Sequence, residues 1–221
     1  MTWSTVYKRE YSAPEVSIKE ILRYARSGEE AKDVVTLAQE CLEEAAGVLA
    51  YKVCFREFDI SVSGDQCDLG FVKVKSKGLS KNLNGCKRAI VFAATVGLGI
   101  DRLIMKYGAV APSKTVMFHA IGAERVEALC DLFCTDMENE LGPITRRFSP
   151  GYGDLSLSMQ SDIFRALDCT RQIGLTLNDS LLMSPSKSVT AIFGIKDSGD
   201  TEEKEDKCEI CSSINCPFRR V

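Results

Sequence analysis

Apolar and polar residues alternate along this chain with two distinct periods, and the period changes mark the elements. Val16, Ile18, Ile21, Leu22 and Ala25 form a helical stripe that predicts a first helix over Pro14–Ala25, with Ser12-Ala13-Pro14-Glu15 at its start. Ser27-Gly28 breaks it. Val34, Leu37, Ala38, Cys41, Leu42 and Ala45 share one face of a second helix over Glu29–Ala46. The period then falls to two. Val48–Ile60, with Tyr51, Val53 and Phe55 alternating, reads as a strand. Ser63-Gly64-Asp65 is a turn, and Leu69–Val74 is expected to return antiparallel to that strand.

Lys77–Lys87 is polar, with Gly78 and Asn84-Gly85, and is expected to be a connection. Arg88–Thr95 has the composition of a buried strand, and Gly97-Leu98-Gly99 leads into a helix over Ile100–Tyr107. The longest helical pattern starts at Pro112-Ser113 and runs to about Leu141, with Val116, Ala120, Ala123, Glu127, Cys130 and Cys134 near one face. Gly142-Pro143 stops it. Beyond the loop Arg146–Gly153, Ser158 is placed to cap a helix to about Asp168, and Ser180–Met183 and Ser188–Ile195 read as short strands around Pro185. Lys196–Lys207 has no apolar residue and reads as a solvated acidic linker, which leaves Cys208–Val221 as a separate tail. The expected fold is α+β: one domain over 1–195 with a twisted, mostly antiparallel central sheet flanked by helices, an acidic linker over 196–207, and a short cysteine-rich tail over 208–221.

Composition narrows the function classes. The 221 residues are 45% hydrophobic, enough for one sizeable core. A net charge of −3 argues against a nucleic-acid surface. No apolar run is long enough to span a bilayer, and the start, MTWSTVYKREY, lacks a signal-peptide core, so the default expectation is cytoplasmic. The ten cysteines are then expected as reduced thiols or metal ligands, with Cys41, Cys130 and Cys134 as small core residues.

Four features bear on chemistry. Gly97-Leu98-Gly99 lies at a strand-to-helix junction, where amides can meet phosphate. Arg102 stands where a dinucleotide fingerprint needs its third glycine, so a tight turn is the better reading. His119 is the sole histidine, which leaves no partner set for a serine or cysteine nucleophile. Cys208-x2-Cys211-x4-Cys216 brings three thiolates toward one metal, zinc or an iron–sulfur cluster, with Cys67 or Cys86 as the fourth ligand; a redox dithiol or a tail without a metal remains open. In the loop Arg147-Phe148-Ser149-Pro150-Gly151-Tyr152, Pro150-Gly151 makes a tight turn between a guanidinium suited to a carboxylate and an aromatic ring suited to stacking. An ordinary helix-to-strand loop with surface arginines is the alternative.

This loop resembles the R-x-x-P-G-Y signature of the activation domain of cobalamin-dependent methionine synthase. Ile163, Leu167, Gly174, Leu177, Ser180, Met183, Pro185, Ser188 and Val189 continue the resemblance without a gap through Arg147–Gly194, and Ala120–Glu127 extends it more weakly. The resemblance implies a curved α+β domain that binds S-adenosylmethionine beside the turn and caps a corrinoid domain during reductive reactivation. On that basis Arg147 would hold the methionyl carboxylate, Glu127 the amino group, backbone near Ser149 and Gly151 the adenosyl portion, and Tyr152 the groove wall. The cobalamin would sit on a partner, a methionine synthase or related corrinoid protein, because this sequence shows no corrinoid, homocysteine or folate module and so resembles the free-standing members. The sequence departs from the family in having Gly153-Asp154-Leu155-Ser156 in place of a proline-cysteine stretch. It also lacks a placeable N-terminal ligand-binding aspartate, and it has the acidic linker where the family supplies a last tyrosine. An alternative function is a non-catalytic module whose cysteine tail carries electrons to a corrinoid protein.

Overall fold

The computed structural model describes residues 5–27 and 32–196. The tail cysteines Cys208, Cys211 and Cys216, and the linker from residue 197 on, lie outside the described residues.

The central strand is the one that composition marks most clearly. Arg88–Thr95 forms a strand (β6) whose residues from Ala89 on are all buried, as expected for a strand covered on both faces. It pairs antiparallel with Tyr51–Asp59 (β2) on one side and with Ser188–Ile195 (β9) on the other. Tyr7–Tyr11 (β1) adds to β2, so the sheet runs β1-β2-β6-β9, antiparallel throughout. Alternation then divides the molecule into two layers. Val53, Phe55, Ile90, Phe92, Ala191 and Phe193 point to one face. Cys54, Phe58, Ala89, Val91, Ala93 and Ile192 point to the other.

The first face lies under helices Ile18–Tyr24 (α1), Lys32–Ala46 (α2), Gly99–Tyr107 (α4) and the 30-residue Pro112–Leu141 (α5). Helix α5 starts with proline in its first turn and stops at Gly142, whose φ of 88° a side chain would oppose. It docks through Phe133, whose ring lies 5.1 Å from Phe55, 4.9 Å from Phe92 and 6.2 Å from Phe193. One side chain thus touches three adjacent strands. The second face lies under Lys77–Asn82 (α3), Met159–Leu167 (α6) and Cys169–Ile173 (α7), through Leu79, Met159, Ile163, Leu167 and Ile173.

The Gly97-Leu98-Gly99 junction is a tight turn. Gly97 has φ +82°, and a Cβ on Gly99 would lie 2.1 Å from the Val48 carbonyl oxygen. Several expectations need correction. The return of Leu69–Val74 onto the long strand does not occur: Gly64 and Gly70, both at positive φ, fold Ser61–Ser63 (β3), Gln66–Asp68 (β4) and Lys73–Lys75 (β5) into a separate small sheet. The connection Lys77–Lys87 contains α3, capped by Ser76, whose Oγ accepts from Leu79 N at 3.0 Å. Ser180–Leu182 is no strand, because Asn178 Oδ1 accepts from the amides of Ser180 and Leu182. The two-residue strands here are Thr176–Leu177 (β7) and Met183–Ser184 (β8). Ser158 has helical backbone and makes no cap bond; its hydroxyl lies 2.7 Å from that of Ser156.

The first helix begins at Ile18, not at Pro14, and the reason lies on α5. Arg125 is 1% exposed, and its guanidinium donates to the carbonyl oxygens of Pro14 at 2.7 Å and Glu15 at 2.6 Å. The adjacent Glu124 accepts from Arg125 Nε at 2.5 Å and from Ser17 N at 3.1 Å. These bonds hold residues 14–17 extended, and Ser17 then caps α1 through Glu20 N. Burial works against the Arg125 charge, but the hydrogen bond and charge of Glu124 together with Tyr51 more than offset that and keep it firmly protonated. Removing Arg125 would leave Glu124 as an unpaired buried charge. Arg125→Met is expected to cost about 3–5 kcal/mol in denaturant unfolding, and a loss below about 1 kcal/mol, the value of an exposed pair, would show that the pair is not holding the segment.

Candidate functional site

Glu124, Glu127, Ala128, Asp131 and Leu132 recur at three- and four-residue spacing and share one face of α5. Opposite them lie the extended segment that Arg125 holds and the first turns of α1. Between the two is a groove of 350 Å³, lined by Pro14, Glu15, Ser17, Glu20 and Tyr24 on one side and by the α5 residues on the other. The size suits a small-molecule site. The wall is acidic and its floor partly apolar. The Tyr24 hydroxyl has its pKa pushed up, first by burial and then by the negative charge of Glu127 facing it.

Arg147 comes to this helix from the other side of the sheet edge. After α5 the chain runs along β9: Thr145 N donates to Gly194 O at 2.9 Å, and Phe148 and Ile192 exchange both backbone bonds at 2.8 and 2.9 Å. Consecutive residues therefore point to opposite layers. Arg147 reaches α5, and Phe148 packs into the second core. Arg147 Nη2 donates to Glu127 Oε2 at 3.2 Å and to Asp131 Oδ1 at 2.5 Å. Burial opposes the guanidinium charge, but the groups around it (Cys130, Glu127 and Asp131) more than offset this and hold the proton above the ordinary arginine range.

Ser149–Tyr152 is the turn that Pro150-Gly151 predicts. Tyr152 N donates to Ser149 O at 3.1 Å, and Gly151 takes φ +84°, which only glycine adopts without strain. The Tyr152 ring meets the Phe148 ring edge-on at 5.5 Å and stays 52% exposed. The Gly151 amide donates to Leu155 O at 2.9 Å, so that donor is already used inside the loop. Asp154 anchors the turn. Its carboxylate accepts from Ser76 Oγ at 2.5 Å, Lys77 N at 2.6 Å and Gly78 N at 3.2 Å.

The expected site residues thus fall into two adjoining groups. Glu127 and Arg147 meet beside the groove. Ser149, Gly151 and Tyr152 form the turn that follows Arg147 and do not line the groove. Sequence reasoning missed Glu20, Tyr24 and Asp131. Asp131 sits four residues after Glu127 on the helix, and Glu20 and Tyr24 share that spacing on α1; this was the available signal. His119 lies at the surface with its ring partly desolvated, and that partial desolvation and then Lys187 lower its pKa. Cys67 and Cys86, considered as a fourth metal ligand, are buried, with Cys86 packed against Gly194. Among the described residues, no group of three or more histidine, cysteine, aspartate or glutamate side chains is arranged to hold a metal ion. No helix among them is long and apolar enough to cross a membrane.

No family model matches the sequence, and no curated protein matches it. Solved structures do match. One is a crystal structure of the MetH reactivation domain bound to AdoHcy, with a TM-score of 0.64 at 15% identity, covering 90% of this chain and 81% of that chain. The two chains share a fold. The expected α+β architecture with an antiparallel central sheet is the one observed, and the likeness to the reactivation domain is one of fold over most of the chain.

Because native bonds to its carboxylate favour the charged form, the pKa of Asp154 is lowered, first by Ser76 and then by the Lys77 amide. Its contribution to holding the turn is complete above the ordinary aspartate range and lost only as pH falls through the depressed value. Asp154→Asn at neutral pH should therefore speed amide exchange at Lys77 and Gly78 while leaving β6 protected. Unchanged exchange at those two amides would mean that Asp154 does not anchor the turn.

Proposed function

We propose that this chain binds S-adenosylmethionine through Arg147 and Glu127 and acts as an accessory that supports reductive methylation of the cobalamin held by a methionine synthase or related corrinoid methyltransferase. The observation that carries the reading is the meeting of Arg147 with Glu127 and Asp131 beside a groove of ligand size, on a fold shared with a domain solved bound to AdoHcy. The fit is one of charge. The ligand's carboxylate needs a guanidinium, its ammonium needs a carboxylate, and its sulfonium favours an acidic wall. Arg147 supplies the first, Glu127 the second, and Glu20 and Asp131 add to the third. The Ser149–Tyr152 turn, rigid through Gly151 and Asp154, stands next to Arg147 to meet the adenosyl portion, with Tyr152 offering an exposed ring. S-adenosylmethionine would supply the methyl group when bound; this chain's residues would hold and orient it.

Titration calorimetry with S-adenosylmethionine and with AdoHcy tests the site. Arg147→Ala removes a charge-assisted bond and is expected to weaken both ligands by roughly tenfold to a hundredfold. Equal affinity in wild type and variant, or no binding by either, counts against the reading.

A second proposal concerns the tail. The spacing Cys208-x2-Cys211-x4-Cys216 favours a bound zinc ion or an iron–sulfur cluster, which would suit an electron-carrying or clasping role toward the same corrinoid partner. Protein purified anaerobically should carry stoichiometric zinc or iron, visible by metal analysis and, for a cluster, by absorption. Loss of that metal in Cys211→Ser is expected, and a metal-free wild-type protein removes the proposal.

A further inference from the structure

Arg147 already holds an internal carboxylate in the position the proposed ligand needs. Its Nη2 lies 2.5 Å from Asp131 Oδ1, closer than the 3.2 Å to Glu127 Oε2. Asp131 belongs to no motif that the sequence reading singled out. We propose that Asp131 is a built-in competitor for the ligand's carboxylate and so sets both the affinity of this site and its discrimination between ligands with and without a carboxylate. The proposal rests on the S-adenosylmethionine reading of the site.

Exposure decides which partner yields. The Arg147 side chain is 20% exposed and that of Asp131 is 60% exposed. The guanidinium is therefore fixed by its surroundings, while Asp131 stands on the open side of α5 with room to take another rotamer. When a ligand carboxylate approaches, it can replace Asp131 on Nη2 without moving Arg147. Glu127, one turn earlier on the same face, keeps its place for the ammonium group. The exchange is one carboxylate for another, so the arginine remains paired throughout and no buried charge is left alone. A carboxylate pair with one exposed member is weak. Its release therefore changes affinity by only about twofold to fivefold, the range of surface ion pairs.

Removing Asp131 also removes negative charge that attracts the ligand's ammonium and sulfonium. That effect is common to ligands with and without a carboxylate, so the ratio of their affinities isolates the competition. The experiment is calorimetric titration of wild type, Asp131→Asn and Asp131→Glu with AdoHcy and with its decarboxylated analogue, which retains the amine and the nucleoside. Asp131→Asn is expected to shift the ratio about two- to fivefold in favour of AdoHcy. Asp131→Glu keeps a competing carboxylate and should leave the ratio near that of wild type. A ratio unchanged or reduced in Asp131→Asn, with AdoHcy still bound by wild type, overturns the role of Asp131 and leaves the ligand site standing. Binding of neither ligand by any of the three proteins overturns the S-adenosylmethionine reading and this inference with it.

Discussion

The seating of Phe133 on three strands fixes where everything else can stand. A long helix laid across a sheet can slide or roll unless a side chain keys it in place, and this one is keyed by a ring among Phe55, Phe92 and Phe193. Cores are too densely packed for such a key to have several positions. With Phe133 in place, the α5 face carrying Glu124, Glu127 and Asp131 is set at a fixed height above the sheet edge. Arg147 enters from the chain that pairs with β9, the outer strand that also supplies Phe193. The ion pairs at Arg147 thus depend on a core contact with no polar atom in it.

Arg125 and Glu124 do the corresponding work on the groove's other wall. Their charges are spent entirely on protein groups: the carbonyls of Pro14 and Glu15 and the amide of Ser17. A buried ion pair is a poor source of stability in itself. Its effect here is positional, since it holds four residues extended where their sequence suggests a helix start, and so opens a space between α1 and α5. Glu127, Glu20 and Tyr24 face that space. Glu124 and Glu127 are three residues apart on one helix, yet one is consumed by the architecture and the other remains at the groove.

Much of this was legible in the sequence, and the parts that were not share a cause. β6, β9 and α5 were readable to the residue because their apolar patterns are long and their ends carry glycine or proline. The Arg147–Tyr152 turn was readable because Pro150-Gly151 dictates its own backbone. β1 was not, because its Tyr7-Lys8-Arg9-Glu10-Tyr11 run is polar at the edge of the sheet, where Arg9 pairs with Glu140 across 131 positions. α3 was not: Ser76 caps it locally, but the polar run Lys77–Lys87 masks a six-residue helix whose first turn is also held by Asp154, some 76 to 78 residues away. That Glu127 and Arg147 lie near one another was implied by the resemblance alone, and their ion pair was not foreseen. Asp131 became visible as a site residue only once the guanidinium was seen to reach it. In each case the deciding partner was distant in sequence, and local pattern carries no information about it.

The titratable groups near the site divide into those at the groove and those away from it. The sole histidine, His119, lies eight residues before Glu127 on the same helix, which puts it about 12 Å along the axis. It faces Lys187 and Asp101, not the groove. Four of the acids lining the groove have a basic partner: Glu20 has Arg23, Glu124 has Arg125, and Glu127 and Asp131 have Arg147; Glu15 lines the groove as well. Paired groups of both signs offer complementary contacts to a zwitterion of the kind proposed above. The charge pattern of Glu127, Asp131 and Arg147 is an observation separate from the likeness in fold, and it is this pattern that the proposed ligand would have to match.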